Sequence, residues 1–413
     1  MVAGPLKRNA LRALPARSII NAIADAAQAW TDYALPARVN AVASIAARTG
    51  YSAPVVEFAL DQLFRSITRE ALSATIEAEL GAVEALDRFT SRPGRPDVYA
   101  SPIGSVCVIA SRTTIGVALL PTIYALCAKC AVTVKDREDH LVGAFFQSLA
   151  GRDEAFVHAV RAQVFSSAGE DALDLNEFCC VVAFGKNETL ARIRAACAPE
   201  ARFAGFGPRA SAGYICNETA SDVKTLARVL EGAARDLILY DSEGCMSLHV
   251  LFVENSLNEG DVVRGLASAV GNAAREFPIG KRDASAALQV AGVKAAATFR
   301  QSLGKALIVS DDAHSYAIVV DRAHDWPPPF APRCINLIPV QDPRDALRYL
   351  EKYGIALEAF ALSEPREDVV EVAIEAGAVR LTRFGELQKP PASGNHGGRP
   401  RIADFVRWID REL

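Results

Sequence analysis

Several common signatures are missing from this chain. It holds no Gly-x-Gly-x-x-Gly fingerprint and no Walker loop, so neither familiar phosphate-binding loop is present in its plain form. Positive charge is not in excess. Against 45 Lys and Arg stand 49 Asp and Glu, a net charge of −4 with a pI near 6.0. That excludes a bulk field for nucleic acid or an anionic membrane. Cysteine is sparse, nine in 413 residues without regular spacing, far below a disulfide scaffold. A reducing cytoplasm is the expected compartment. The uncharged apolar run from Ile115 to Ala128 is interrupted by Pro121 and ended by Lys129. It falls short of the roughly 20 residues that span a bilayer and is expected as a buried helix. The N-terminus carries Arg12 and Arg17 where a signal peptide needs an apolar stretch, so it is expected as an amphipathic helix without secretion signal. The histidines His140, His158, His249, His314, His324 and His396 show no metal-ligand spacing, and no metal site is expected.

What is present is a globular composition, 50% hydrophobic and 23% charged, over a length that at about 150 residues per domain predicts two to three domains. The first hundred residues are expected to be helical: Val55, Val56, Ala59, Leu60, Leu63, Phe64 and Ile67 form a one-sided helical stripe. Ser91 to Pro96 is expected as a turn-rich linker. From about residue 105 short apolar runs alternate with helical segments. Strands are predicted at Val106–Ala110, Ala131–Lys135, Phe178–Phe184 and Arg202–Phe206, and helices at Val117–Lys129, 141–150, 153–164 and Glu188–Cys197. This alternation predicts a parallel sheet with helices on both faces, binding ligands at the carboxyl ends of its strands. A second α/β block is expected from near residue 215. Its strands are predicted at Asp236–Tyr240, Cys245–Val253, Ala317–Val320 and Ile335–Val340, with a helix at about 258–275 and a tail helix from Ile402 to Leu413.

Cys127 and Cys130 form a Cys-x-x-Cys with no second pair, and the motif ends an apolar helix instead of opening one, so packing cysteines are expected. Cys179 and Cys180 are expected in the core. Cys245 differs. It follows Tyr240-Asp241-Ser242-Glu243-Gly244, and a cysteine just after a glycine at a strand start meets free backbone N–H groups. Those suit a nucleophile whose attack creates an oxyanion, although a small core cysteine is the plainer alternative. His249 lies four strand residues on, about 13 Å at 3.3 Å each, beyond hydrogen-bond reach of Cys245. It is expected as a strand histidine with a satisfied partner.

The run Glu243 to Asn255, EGCMSLHVLFVEN, resembles the nucleophile segment of the LuxC-type acyl-CoA reductases, a branch of the aldehyde dehydrogenase superfamily. Leu126 to Lys135, Val181 to Thr189, His324 to Ala331, Gln388 to Trp408 and even Arg48 to Ser52 agree with that family in order and spacing. Weak singly, these stretches together cover nearly the whole chain. The resemblance implies an aldehyde dehydrogenase-like α/β fold. It comprises a helical N-terminal region (1–100), a Rossmann-like nicotinamide dinucleotide domain (101–214), a catalytic domain (215–385), and a C-terminal segment (386–413) returning to the cofactor domain or to an oligomer interface.

It also implies reduction of a fatty acyl-CoA or acyl thioester to the aldehyde through a cysteine-linked acyl-enzyme on Cys245. Lys135 would bind the adenosine ribose, with Gly185, Lys186 and Asn187 beside the pyrophosphate, and Gly207 and Phe330 near the nicotinamide end. Where the family places an oxyanion-holding Asn, this chain has Thr113, with Arg112 beside it. A lost oxyanion donor can cost about 10²–10³ in rate. An alternative therefore stays open: a divergent member with lost or altered reductase activity, serving as an acyl-binding or partner subunit. The hydrolytic glutamate of ordinary aldehyde dehydrogenases is replaced in the stretch Gly205 to Arg209, which suits a reductase. Glu138, three residues after Lys135, would repel a 2′-phosphate, and Arg137 would attract one. By family habit NADPH is expected, with NADH second. An acyl-transferase or synthetase partner and a homo-oligomer are implied, and neither nucleic acid nor a membrane span.

Overall fold

The computed structural model describes residues 9–111, 114–136, 141–164, 173–254, 259–313 and 315–412. Among these the chain forms two compact units. One comprises Met1–Thr49, Val56–Gly207 and Pro391–Leu413, the other Gly50–Val55 and Pro208–Pro390.

The first unit is built on a five-stranded, wholly parallel sheet, in the order Val160–Val164, Ala131–Asp136, Ser105–Ile109, Cys180–Phe184, Arg202–Phe206. Val106, Cys107, Val108, Val134, Val181 and Ala183 are fully or nearly fully enclosed, as continuous apolar strands buried on both faces must be. The first strand in sequence lies in the middle, so the strand order reverses beside Ser105–Ile109. Doubly wound sheets open a crevice at that point, at the carboxyl ends of the strands. Helices Leu119–Cys127 and Leu141–Ala150 cover the sheet. Ala16–Ala29 packs on both of these helices, and Trp30 closes the cluster against Phe64 and Phe145 at 4.9 and 6.1 Å between ring centroids.

The second unit holds a seven-stranded sheet, in the order Ala306–Asp311, Tyr316–Asp321, Cys334–Val340, Leu248–Glu254, Ala210–Ile215, Leu357–Leu362, Leu381–Arg383. Only the first pair runs antiparallel. Tyr214, Val250, Phe252, Ile338, Tyr349, Leu350 and Phe360 form its central cluster.

Several elements differ from expectation. Asp236–Tyr240 is no strand: Leu237 and Ile238 end the helix Val223–Ile238, continuing the buried stripe of Leu230, Ala233 and Ala234. A short apolar run reads alike in both conformations, and here the i, i+3, i+4, i+7 spacing decides. Residues 153–164 are not one helix but a 3-10 turn, Glu154–Phe156, capped by Asp153, followed by the strand Val160–Val164 on the sheet edge. Ser91–Pro96 is no linker. It is the hairpin between Thr90–Arg92 and Arg95–Pro102, turning at Gly94 with φ 69. The tail is not a helix but a strand, Val406–Arg411, antiparallel to Arg95–Pro102, with the Arg92 guanidinium 4.3 Å from the Trp408 ring. The strand Ala210–Ile215 lies in the second sheet, not in the cofactor domain, and the C-terminal return begins at Pro391, not at 386.

Candidate active site

Cys245 does not open a strand. It sits in the turn Gly244–Ser247 that precedes Leu248–Glu254, with Ser247 N donating to Gly244 O at 3.0 Å. The approach to it is strained: Tyr240, Asp241 and Ser242 take φ values of 56, 49 and 60, three successive non-glycine residues in the left-handed region. Such residues cost of order 1–3 kcal/mol each and persist only where surroundings enforce them. The enforcement is visible. Ser242 Oγ donates to Leu237 O at 2.6 Å, Arg333 donates from Nε to Asp241 Oδ1 at 2.5 Å and from its backbone N to Asp241 O at 3.2 Å, and Tyr51 OH donates to Glu243 Oε2 at 3.3 Å. Arg333 is wholly enclosed and also donates to Phe277 O at 2.9 Å.

His249 belongs to this scaffold. Its Nε2 lies 3.0 Å from Ser242 O, and since a carbonyl only accepts, that nitrogen carries the hydrogen. Burial pulls the imidazole down to about 4, so it is neutral at neutral pH. The expected partner is there for Nε2, but Nδ1 is buried without one. The ring packs 5.1 Å from Phe330, which is itself in the left-handed region at φ 42 and half exposed. The loop carrying Phe330 is pinned by Asn336 Nδ2, which donates to Trp326 O and Pro327 O at 3.3 and 3.2 Å.

Of the nine cysteines only Cys179 and Cys245 are partly exposed. Cys179 precedes Cys180–Phe184, at the amino end of its strand, away from the ligand-binding edge. Cys127 and Cys130 are fully buried, and burial pushes their thiols up to about 12 and about 11. The Cys245 thiol is also pushed up to about 12, by its burial and then by the negative charge of Glu358; backbone N–H groups of Cys245 and Met246 and the Arg209 guanidinium pull the other way. Ser211 Oγ donates to Cys245 O at 2.9 Å and ties the turn to the neighbouring strand.

Glu358 was not singled out from sequence, although a carboxylate inside Ala356-Leu357-Glu358-Ala359-Phe360 is a legible anomaly. It is buried at 5% exposure and falls where the ladder slips, with Leu357 opposite Ala210 and Ala359 opposite Ser211. Arg209 holds it: Nε lies 3.7 Å from Glu358 Oε2 while Nη1 donates to Leu357 O at 2.8 Å.

In the other unit, Lys135 stands near the carboxyl end of Ala131–Asp136. Gly185 follows Cys180–Phe184 and donates to Phe206 O at 3.1 Å. Lys186 is the N-cap of the helix Asn187–Ala195, and its side chain forms no cap hydrogen bond. Gly207 faces Asn187, whose Oδ1 would lie 2.7 Å from a Cβ added there. Gly185, Lys186, Asn187 and Gly207 thus gather at adjoining strand ends beside a helix N-terminus. Next to them Phe184, Phe206 and His396 stack, with centroids 4.9 Å apart for the first pair and 4.4 Å for the second. Arg112, Thr113 and Glu138 lie outside the described residues. Among the described residues no cluster of His, Cys, Asp and Glu could hold a metal, and no helix is long and apolar enough to cross a membrane.

Compared with known families, residues 11–408 match the acyl-CoA reductases (LuxC). The chain belongs to this family. It is an oxidoreductase of the acyl-CoA reductase class with an aldehyde dehydrogenase-like α/β fold. No curated protein matches the sequence. Solved structures with the same fold include aldehyde dehydrogenase 21 from Physcomitrella patens, crystallised with the reaction product succinate, at 11% identity, TM-score 0.72, covering 98% of this chain and 86% of that one. A putative methylmalonate-semialdehyde dehydrogenase from Sinorhizobium meliloti, complexed with NAD, gives 15%, 0.71, 97% and 86%. A variant of Thermus thermophilus 1-pyrroline-5-carboxylate dehydrogenase gives 16%, 0.67, 97% and 82%.

Proposed function

We propose that the protein reduces a fatty acyl thioester, acyl-CoA or an acyl carrier, to the aldehyde through an acyl-enzyme on Cys245. What supports the reading is that the chain belongs to a family of acyl-CoA reductases and that Cys245, one of its two partly exposed cysteines, sits on a turn approached by a strained and braced run. The Cys245 sulfur attacks the thioester carbonyl and the CoA thiolate leaves. Backbone N–H groups at the turn stabilise the oxyanion that forms in between. After hydride addition to the acyl carbon, the resulting thiohemiacetal expels the Cys245 thiolate and frees the aldehyde. The strained turn keeps the sulfur in place through both additions, which is where positioning gains most.

A nicotinamide dinucleotide, when bound, supplies the hydride. The residues present fit it. Gly185 and Gly207 leave room for a backbone-hugging pyrophosphate, a side chain at 207 would strike Asn187, and the open N-terminus of Asn187–Ala195 offers N–H groups to phosphate. Lys135 would reach the adenosine ribose, and Phe330 would lie towards the nicotinamide. NADPH is the proposed donor, NADH the second. An acyl-transferase or synthetase supplying the activated acyl group, and assembly into a homo-oligomer, belong to the same reading. Assaying aldehyde formation over a panel of acyl-CoAs with both cofactors tests it: turnover lost in Cys245→Ala supports it, and turnover retained in that variant refutes it.

A further inference from the structure

The nucleophile has an activation problem. With its thiol pushed up to about 12, only about one Cys245 in 10⁵ is a thiolate at pH 7. The imidazole that follows it in the chain, His249, commits its Nε2 to Ser242 O. Among the described residues the carboxylate whose charge weighs most on the Cys245 sulfur is Glu358, and three features show that its place is built. It sits on the extra residue of a bulged ladder, a device that re-aims a side chain. It is buried, and Arg209 grips both its carboxylate and the carbonyl before it. Ser211, paired with Ala359 on one side, donates to Cys245 O on the other, so one residue registers Glu358 and Cys245 to each other. Charged groups facing Glu358 include Arg209 and, from the segment after Glu367–Glu375, Arg380, which also faces Asp236.

We propose that Glu358 is the proton shuttle of the acylation step, with Arg209 as its positioning residue. As the Cys245 sulfur bonds to the thioester carbonyl, its S–H bond breaks and the proton passes to the Glu358 carboxylate. When the thioester C–S bond then breaks, that proton passes to the departing thiolate. One proton moves from one sulfur to the other and no electrons change hands. Because transfer accompanies bond formation, the scarce free thiolate is never required. This role rests on the thioester reading above.

The test is single-turnover acylation of the full-length protein without cofactor. It compares an acyl-CoA with the thioester of the same acyl chain and 4-nitrothiophenol, whose thiolate leaves unprotonated. Glu358→Gln is expected to slow acylation by both thioesters roughly 10²-fold, in the range of general acid–base catalysis, because attack on either needs the Cys245 proton removed, with the larger loss for acyl-CoA, whose departing thiolate also takes up that proton; Glu358→Asp should recover part of the loss. Iodoacetamide should alkylate Cys245 in Glu358→Gln at least as fast as in wild type, since the opposing charge is gone, which also shows the variant folded. Alkylation of Cys245 slowed as much as acylation assigns Glu358 a structural role and overturns the proposal, as does no loss of acylation with either thioester. If wild type is acylated by neither thioester, the thioester reading itself fails and this role with it.

Discussion

Arg333 and Asp241 form an enclosed ion pair, Nε to Oδ1 at 2.5 Å, joining residues 92 positions apart directly behind the turn that carries Cys245. The same arginine also binds the Asp241 carbonyl through its backbone N–H, so the pair fixes a main-chain conformation as well as a charge. Removing one partner leaves the other charge buried and the left-handed run unsupported. Arg333→Gln is therefore expected to cost about 3–5 kcal/mol by urea denaturation. Any folded remainder should alkylate at Cys245 with altered kinetics. A variant as stable as wild type would show that the pair does not hold the turn.

Cys245 should titrate late. Alkylation by iodoacetamide is expected to rise about tenfold per pH unit from pH 7 to pH 10 without a plateau, because burial and Glu358 hold the thiol up to about 12. Arg209→Gln, which removes a cation opposing that shift, should slow the reaction further at every pH. The folded value lies above the unfolded one, so this thiol adds stability that is complete below the unfolded cysteine's value and is lost as pH rises through 12. A plateau below pH 9 would mean an activated thiol.

Glu254, at the end of Leu248–Glu254, works in the opposite direction. Burial acts to raise its carboxyl, but Arg366, Tyr214 OH at 2.7 Å and Asn217 N at 2.8 Å bind the ionised form and hold it below the usual value. A depressed folded value gives stability that is present above the unfolded carboxylate's value and is lost as pH falls through the folded one. Arg366→Ala should cost roughly 3 kcal/mol at pH 7 and raise the midpoint of acid unfolding. Unchanged acid unfolding would remove Glu254 from the set of stabilising acids.

Gly207→Ala separates binding from stability. The added Cβ would clash with the end of the Asn187 side chain and otherwise makes an ordinary contact with Leu190, so stability should change by less than about 0.5 kcal/mol, while Asn187 is displaced from the strand-end cluster. Affinity for NADPH and NADH, read by fluorescence titration, should fall about tenfold or more. Unchanged affinity would place the dinucleotide elsewhere.

Much of this was legible in the chain because it is local. The four strands of the first sheet that were expected are each a compact apolar run, and a glycine just before Cys245 marked a turn there. What was missed depends on distant partners. Val406–Arg411 becomes a strand because Arg95–Pro102, some 300 residues earlier, offers it a ladder. Leu237-Ile238 suits strand or helix until the stripe from Leu230 is counted. Arg209 and Glu358 meet across 149 positions, a pairing no local pattern encodes. The charge in an apolar run at 358 was the single available hint.

The most direct measurement is intact-protein and peptide mass spectrometry after brief exposure to an acyl-CoA in the absence of cofactor. One acyl group should appear on the peptide containing Cys245, be released by hydroxylamine, and vanish in Cys245→Ala. Acylation persisting unchanged in that variant, or found on Cys179 instead, would contradict the assignment of the nucleophile.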